Sequence, residues 1–172
     1  MLKTHLPYLF LLLGVFLLFA VLLPKALDTV GQDHLLAFYS QAVEQAGALA
    51  LAPPEETPGI LERDPDGYTG SYQASLSGYT GQLTLFGGTS IQPETEALSL
   101  HSQIQGQNGT AQLLYQMGSG APEILLSDSG EYTGQLTAPA GSCYLTLDLQ
   151  DFSGDISITV QPSAEYAIME AN

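Results

Sequence analysis

The feature that most constrains this chain is an uninterrupted apolar run from Leu6 to Leu23, LPYLFLLLGVFLLFAVLL, 18 residues without a charge, nine of them Leu, three Phe and two Val. A domain of ordinary size has no packing use for such a segment. At the bilayer centre its Leu, Phe and Val residues together favour insertion by about 4 to 8 kcal/mol. As a helix it is about 27 Å long, enough for the hydrocarbon layer. Pro7 sits in its first turn, where a missing N–H is harmless, and Pro24 follows its last apolar residue. The pattern predicts a transmembrane signal anchor over 6–23 behind a short cytoplasmic N-terminus, 1–5. A cleaved secretory peptide is the alternative, but small residues are badly placed for the peptidase: cutting after Ala20 puts Leu18 at the third position from the cut. No Cys stands just after the run, so a lipid-modified N-terminal Cys is excluded. With Lys3 on one side and Lys25 on the other, the flanking charge bias is weak. The single cysteine and the Gly, Thr, Ser and Gln-rich composition point to a single-pass membrane protein with its C-terminal part extracytoplasmic.

Charge then separates the anchor from the rest. The chain has 3 Lys+Arg against 18 Asp+Glu, a formal net charge of -15. Lys3 and Lys25 precede the first acid, Asp28, so residues 28–172 hold all 18 acids and only Arg63, a balance of 1 − 18 = -17. Such a surface repels phosphate backbones and excludes nucleic acid as a partner. The lone Cys143 excludes a disulfide framework, a cysteine zinc site and a CxxC pair.

Residues 24–51 read as a juxtamembrane amphipathic helix. Leu35, Phe38, Tyr39, Ala42, Val43, Ala46 and Leu49 recur at spacings of three and four, Asp33 can cap the start, and Pro53-Pro54 stop it. The stripe can pack on the chain's own β domain, on a partner or on a second copy. It lacks the basic face that anionic lipid attracts, and its heptads are too few and too imperfect for a coiled coil. Residues 52–67, APPEETPGILERDPDG, carry four prolines and six charges, the composition of a stiff, solvated linker. The closing Asp64-Pro65-Asp66-Gly67 reads as a turn before it reads as part of a calcium loop, because the downstream Glu of such loops is missing.

The remaining 68–162 predicts an all-β distal domain, an antiparallel two-sheet sandwich or jelly roll of about eight strands, followed by a C-terminal tail, 163–172. One motif recurs in it, as YTG at 68, 79 and 132 and as FSG at 152, each followed by alternating polar and apolar residues. The spacings of 11, 53 and 20 exclude a solenoid or propeller. A glycine that permits a bend, a hydroxyl that bonds local backbone and an aromatic that covers the sheet predict strand starts. Period-two alternation over Leu98, Leu100 and Ile104, over Leu113, Tyr115 and Met117, over Leu145, Leu147 and Leu149, and over Ile156, Ile158 and Val160 gives each strand one dry and one wet face. Asn108-Gly109-Thr110, a glycosylation sequon, reads first as a hairpin turn between two strands.

Chemistry is sparse. No GxSxG motif is present, and the domain's one histidine, His101, has the solvent-facing parity of its strand. Cys143 shares parity with Leu145 and Leu147 and is expected to be a buried thiol. Asp148, Asp151 and Asp155 surround a turn and form the candidate metal site, for calcium, against the alternative of a solvated turn. The tyrosines leave carbohydrate binding open. A pair of catalytic carboxylates lacks a Trp to stack a sugar ring. At the level of organisation, an anchor, a Pro-rich stalk and a Gly/Thr-rich domain with strands opening in SG or TG, the chain resembles the small membrane-anchored extracytoplasmic β-sandwich proteins of Gram-positive bacteria. The resemblance implies location and fold class, and no catalytic or binding residue. The expectation is a non-enzymatic membrane-anchored interaction or structural module with a protein or glycan partner in the cell envelope; the alternative is a calcium- or carbohydrate-binding module.

Overall fold

The computed structural model describes residues 32–90 and 97–163. The expected anchor at 6–23 lies outside these residues, as does all but the first residue of the expected tail. Among the described residues no helix is long and apolar enough to cross a membrane. Helix α1 spans Gln32–Ala48. The described residues divide into two units at position 41, and the second holds the β structure together with the last turns of α1.

Six strands follow: β1 (Ile60–Arg63), β2 (Gly70–Ser90), β3 (Ala97–Met117), β4 (Glu123–Ser127), β5 (Gly130–Thr137) and β6 (Gly141–Pro162). All pairings are antiparallel, in the order β1-β2-β6-β3-β4, with β5 also on β3. The expected eight strands in two sheets are therefore six strands in one hydrogen-bonded sheet. The physical reason is that β2, β3 and β6 are 21 or 22 residues long. Extended, Cys143 and Val160 of β6 would be about 56 Å apart at ~3.3 Å per residue. Both line one internal void with Phe86, Leu98 and Tyr115, so the strand doubles back and the two halves of the sheet face each other.

The doubling is written in the burial pattern. Along β6 the buried residues are odd-numbered from Cys143 to Leu149 and even-numbered from Phe152 to Val160. One extra residue switches the parity: Asp151 adopts φ +50, the left-handed geometry of a bulge. Register shifts fall at the same level in the neighbours, around Tyr79 in β2 and Asn108 in β3. Gly109 bends with φ +74, and a Cβ there would sit 2.2 Å from the Asp151 carbonyl oxygen, so the bend requires glycine. Asn108-Gly109-Thr110 is thus a bend within β3, whose pairing with β6 continues on both sides, not a hairpin turn.

Two of the four repeated motifs also move. The copies at 68 and 132 stand at the openings of β2 and β5, but those at 79 and 152 pair with each other across the bend, Tyr79 opposite Phe152. There the motif hydroxyls accept backbone N–H groups, Thr80 Oγ1 from Asp151 at 2.9 Å and Ser153 Oγ from Gly78 at 2.9 Å. At 79 and 132 the tyrosine ring lies over the glycine two residues on: a Cβ on Gly81 or Gly134 would meet the Tyr79 or Tyr132 ring. Residues i and i+2 share a strand face, so the aromatic covers backbone that glycine leaves bare.

The core follows the expected parity. Leu98, Leu100, Ile104, Leu113, Tyr115, Leu145, Leu147, Leu149, Ile156, Ile158 and Val160 are buried, as is Cys143. Met117, at a strand end, is exposed. The segment 52–67 is not a solvated linker throughout: Ile60–Arg63 pairs with the first residues of β2 and buries Leu61. A four-residue edge strand can sit between the prolines because none of them falls on its ladder. Of the expected apolar stripe, Phe38 and Tyr39 on α1 and Leu49 just past its end are exposed. Gly47, not the stripe, is buried, with its backbone against Thr89.

Candidate functional site

At the end of the sheet opposite the bend, four pieces of chain meet: the last turn of α1, the end of β1, the Asp64–Gly67 turn and the Gly87–Ser90 end of β2. They enclose a cleft of about 510 Å³ lined by Glu44, Arg63, Asp64, Asp66, Tyr68 and the Gly87-Gly88 backbone, among others. That volume lies within the range of small-molecule sites.

Arg63 closes one side. Its position is set by β1, where it pairs with Gly70 as the last residue of the ladder. Its Nε donates to the Leu85 carbonyl at 2.6 Å and a terminal nitrogen donates to the Ala52 carbonyl. The side chain thereby ties the entry segment to the far half of β2. No carboxylate among the described residues lies within ion-pair distance of it. Burial lowers its pKa from the ordinary guanidinium value, yet it stays charged at any physiological pH. With two of about five N–H donors used, the other three have no partner among the described residues.

The Asp64–Gly67 turn is the one the sequence predicts, closed by Gly67 N–H donating to the Asp64 carbonyl at 3.0 Å. Asp66 Oδ1 accepts the backbone N–H groups of Tyr68 and Thr69 at 2.9 and 3.1 Å. The Thr69 hydroxyl reaches Asp64 Oδ2 at 2.7 Å. The same hydroxyl lies 3.2 Å from both Asp66 oxygens, and both carboxylates are exposed at the mouth. Gly67 N–H apart, the turn is bound to β2 by Gly87 N–H donating to the Gly67 carbonyl at 2.8 Å. Gly87 has φ +128, and a Cβ there would lie 2.1 Å from the Cys143 carbonyl oxygen. Two adjacent glycines thus let the turn, β2 and β6 approach closely.

Tyr68 stands between this cleft and the internal void that holds Tyr115 and Cys143. Its hydroxyl is buried and has no hydrogen-bond partner among the described residues. Burial, then the neighbouring Cys143, Tyr144, Asp66 and Glu44, push its pKa upward, so it is a neutral hydroxyl at physiological pH. Native structures leave few buried hydroxyls unpaired. The only other among the described residues is Ser102, which faces the core.

The residues singled out from sequence lie elsewhere. Asp148, Asp151 and Asp155 do not converge, and among the described residues no three Asp, Glu, His or Cys side chains come close enough to hold a metal ion. The bend separates them: Asp148 is on the outer face of one half of β6 and Asp155 on that of the other, where it accepts the Ser75 hydroxyl at 2.5 Å. Asp151 is the bulge residue between them. His101 is exposed as expected. Its Nδ1 lies 3.0 Å from Thr133 Oγ1 and 3.7 Å from Glu131 Oε1. A base relay needs the hydroxyl on one ring nitrogen and the carboxylate on the other; here both crowd the same nitrogen on an open strand face. Arg63 and Tyr68 had a sequence signal of their own: Arg63 is the one cation in 28–172, and Gly87-Gly88 interrupts a strand.

No protein-family model matches this chain, and no curated protein matches it in sequence. Similar solved structures include the periplasmic g-type lysozyme inhibitor PliG of Aeromonas hydrophila, at 14% identity, covering 60% of this chain and 96% of that one, with a TM-score of 0.33. The C-terminal domain of A223, a structural protein from Sulfolobus turreted icosahedral virus, is 14% identical over 54% of this chain and 95% of its own, with a TM-score of 0.29. The carbohydrate-binding module TmCBM61, solved with β-1,4-galactotriose, is 11% identical over 56% and 67% of the two chains, with a TM-score of 0.29. At these scores the likeness carries no argument about function.

Proposed function

We propose that this chain is a non-enzymatic, extracytoplasmic interaction module, a β-sandwich made from one folded sheet, tethered to the cell membrane by residues 6–23. The observation that carries the reading is the position of the cleft. It opens where the chain enters the domain, on Arg63, Asp64, Asp66 and Tyr68, and it contains binding groups without a nucleophile–base pair. Display of such a module at the envelope is the arrangement of the small anchored β-sandwich proteins of Gram-positive bacteria. Calcium forms no part of the proposal, since the three aspartates lie apart.

The test is carried out on the full-length protein in intact cells. Alkaline carbonate leaves it in the membrane pellet, external protease removes the β domain, and a photoreactive residue at position 48, on the cleft rim, yields crosslinked species. Recovery in the soluble fraction, or protection of the domain from protease until the cells are lysed, overturns the tethered reading. Turnover of a substrate by the purified protein overturns the non-enzymatic one.

A further inference from the structure

Resting on that reading, we infer that the cleft of Arg63, Asp64, Asp66 and Tyr68 binds an uncharged, hydroxyl-rich ligand, a neutral oligosaccharide. The chemistry of the lining selects this class. Arg63 offers N–H donors and can accept nothing. Asp64 and Asp66, a few residues on, offer lone pairs and can donate nothing. A simple anion satisfies Arg63 but meets the carboxylates of Glu44, Asp64 and Asp66 in the same cleft. A simple cation satisfies the carboxylates but meets the guanidinium, which is held in place by the Leu85 and Ala52 carbonyls and cannot swing away. A sugar hydroxyl accepts from one group and donates to the other at once, so neighbouring hydroxyls on one ring can bridge the two sides.

Two further features fit the same ligand. Tyr68 lines the cleft with a half-buried ring, an aromatic surface beside the polar groups. Such a surface suits the alternating C–H and O–H faces of a sugar. Leu51 and Ala48 add apolar lining on the helix side. The charge of the cleft also bears on the rate: with no net attraction for a neutral ligand, binding is insensitive to salt.

The experiment is saturation-transfer NMR on the full-length protein in a detergent that contains no sugar, with gluco-, galacto- and manno-configured neutral trisaccharides as probes and glucosamine and glucuronate as charged controls. At least one neutral trisaccharide shows transfer, and raising the salt leaves its dissociation constant unchanged. Ala48→Trp, an exposed rim position turned into bulk, weakens it by about tenfold or more, the equivalent of ~1.4 kcal/mol, with an unchanged melting temperature. Arg63→Lys weakens it as well, and Asp155→Asn, on the far outer face, does not. Absence of transfer to every neutral probe overturns the inference. So does equal binding by Ala48→Trp, which puts the sugar elsewhere, or binding by glucosamine or glucuronate alone. The broader reading fails separately: a trisaccharide that binds and is then cleaved in the tube leaves the site standing and makes the protein an enzyme.

Discussion

The sheet has two ends, and they are built of different materials. At the bend, β2, β3 and β6 turn together through Gly78, Gly109, Asp151 and Gly154, all at positive φ. Short hydroxyl side chains, Thr80 and Ser153, take up the backbone N–H groups that the bulges free. At the opposite end long side chains add to the backbone bond from Gly87 to Gly67: Arg63 reaches the Leu85 and Ala52 carbonyls, and the Tyr115 hydroxyl donates to the Thr137 carbonyl at 2.6 Å. The bend is satisfied internally and closed. The other end leaves Arg63 N–H donors without a partner among the described residues, and the exposed carboxylates of Asp64 and Asp66, around a cleft. The difference teaches where the molecule keeps its binding capacity: where backbone closes on backbone nothing remains to offer, and where side chains span a gap their unused groups face it.

The largest effects are expected at the bend. Gly109→Val places a β-branched residue at φ +74 with its Cβ 2.2 Å from the Asp151 carbonyl oxygen. Left-handed geometry and the clash together are expected to remove about 3 kcal/mol or more, seen as a lower denaturant midpoint or as failure to fold. A Gly109→Val protein with wild-type stability would mean that the bend is not what holds the doubled sheet.

Alkali is expected to act next in size, and on the opposite end. Burial pushes Tyr72 up to about 12 from its ordinary 10.0. Burial also pushes up Tyr68, Tyr115 and the Cys143 thiol, the last from 9.0. Each group is a neutral acid in the native state. Between the unfolded and folded pKa values the unfolded chain has lost a proton that the native one retains, so stability falls as pH rises. The contribution is complete below about pH 9 and drains away through about pH 12 and beyond. Denaturant melts at increasing pH should show the slope, and Tyr72→Phe should flatten it. A flat profile through that window would place these rings in water.

How much of this was legible beforehand depends on which signal each element used. Period-two alternation identified the dry face of nearly every strand, because one buried face leaves that pattern whatever the topology. Cys143 and His101 followed from parity alone. Strand number did not, because a mid-strand bend and a hairpin turn draw on the same Gly, Asn, Ser and Thr residues. Asn108-Gly109-Thr110 and the motifs at 79 and 152 are bends for this reason. Whether chain continues into the same partner strand or returns beside itself is decided by pairing across long separations, such as Gly70 with Val160. The aspartate trio misled for a related reason: nearness in sequence puts residues on one turn only if there is a turn, and β6 carries Asp148 and Asp155 to opposite sides. Arg63 was visible as the one cation of an acidic domain, but its reach to Leu85, 22 residues away, belongs to the fold.

Arg63→Met tests the side-chain end at moderate size. It keeps the stem and removes the guanidinium that links β1, residue 52 and β2, and it frees two carbonyls that water can in part recover. Hydrogen bonds from a charged group contribute about 1.5 to 3 kcal/mol, and partial exposure of the site puts the loss near the lower end of that range. Thermal and denaturant melts check it. A loss as large as that of Gly109→Val would erase the distinction between a closed end that holds the fold and an open end that holds a ligand.

The smallest effect is expected from Asp148→Asn, Asp151→Asn and Asp155→Asn, and it bears on the comparison most directly. Each Asn retains an acceptor oxygen, so the bond from the Ser75 hydroxyl to position 155 survives. Asn tolerates the left-handed backbone of position 151 nearly as well as Asp does. Removing a negative charge from a chain of net charge -15 relieves a little self-repulsion. Each variant should therefore stay within about 0.5 kcal/mol of wild type, and calcium should leave the melting temperature of wild type and variants alike. A ligand that binds only the folded state must stabilise it by mass action. A rise of several degrees with calcium, abolished by any one of the three substitutions, would bring the outer carboxylates together after all. It would also give the bend a binding capacity that its closed hydrogen bonding denies.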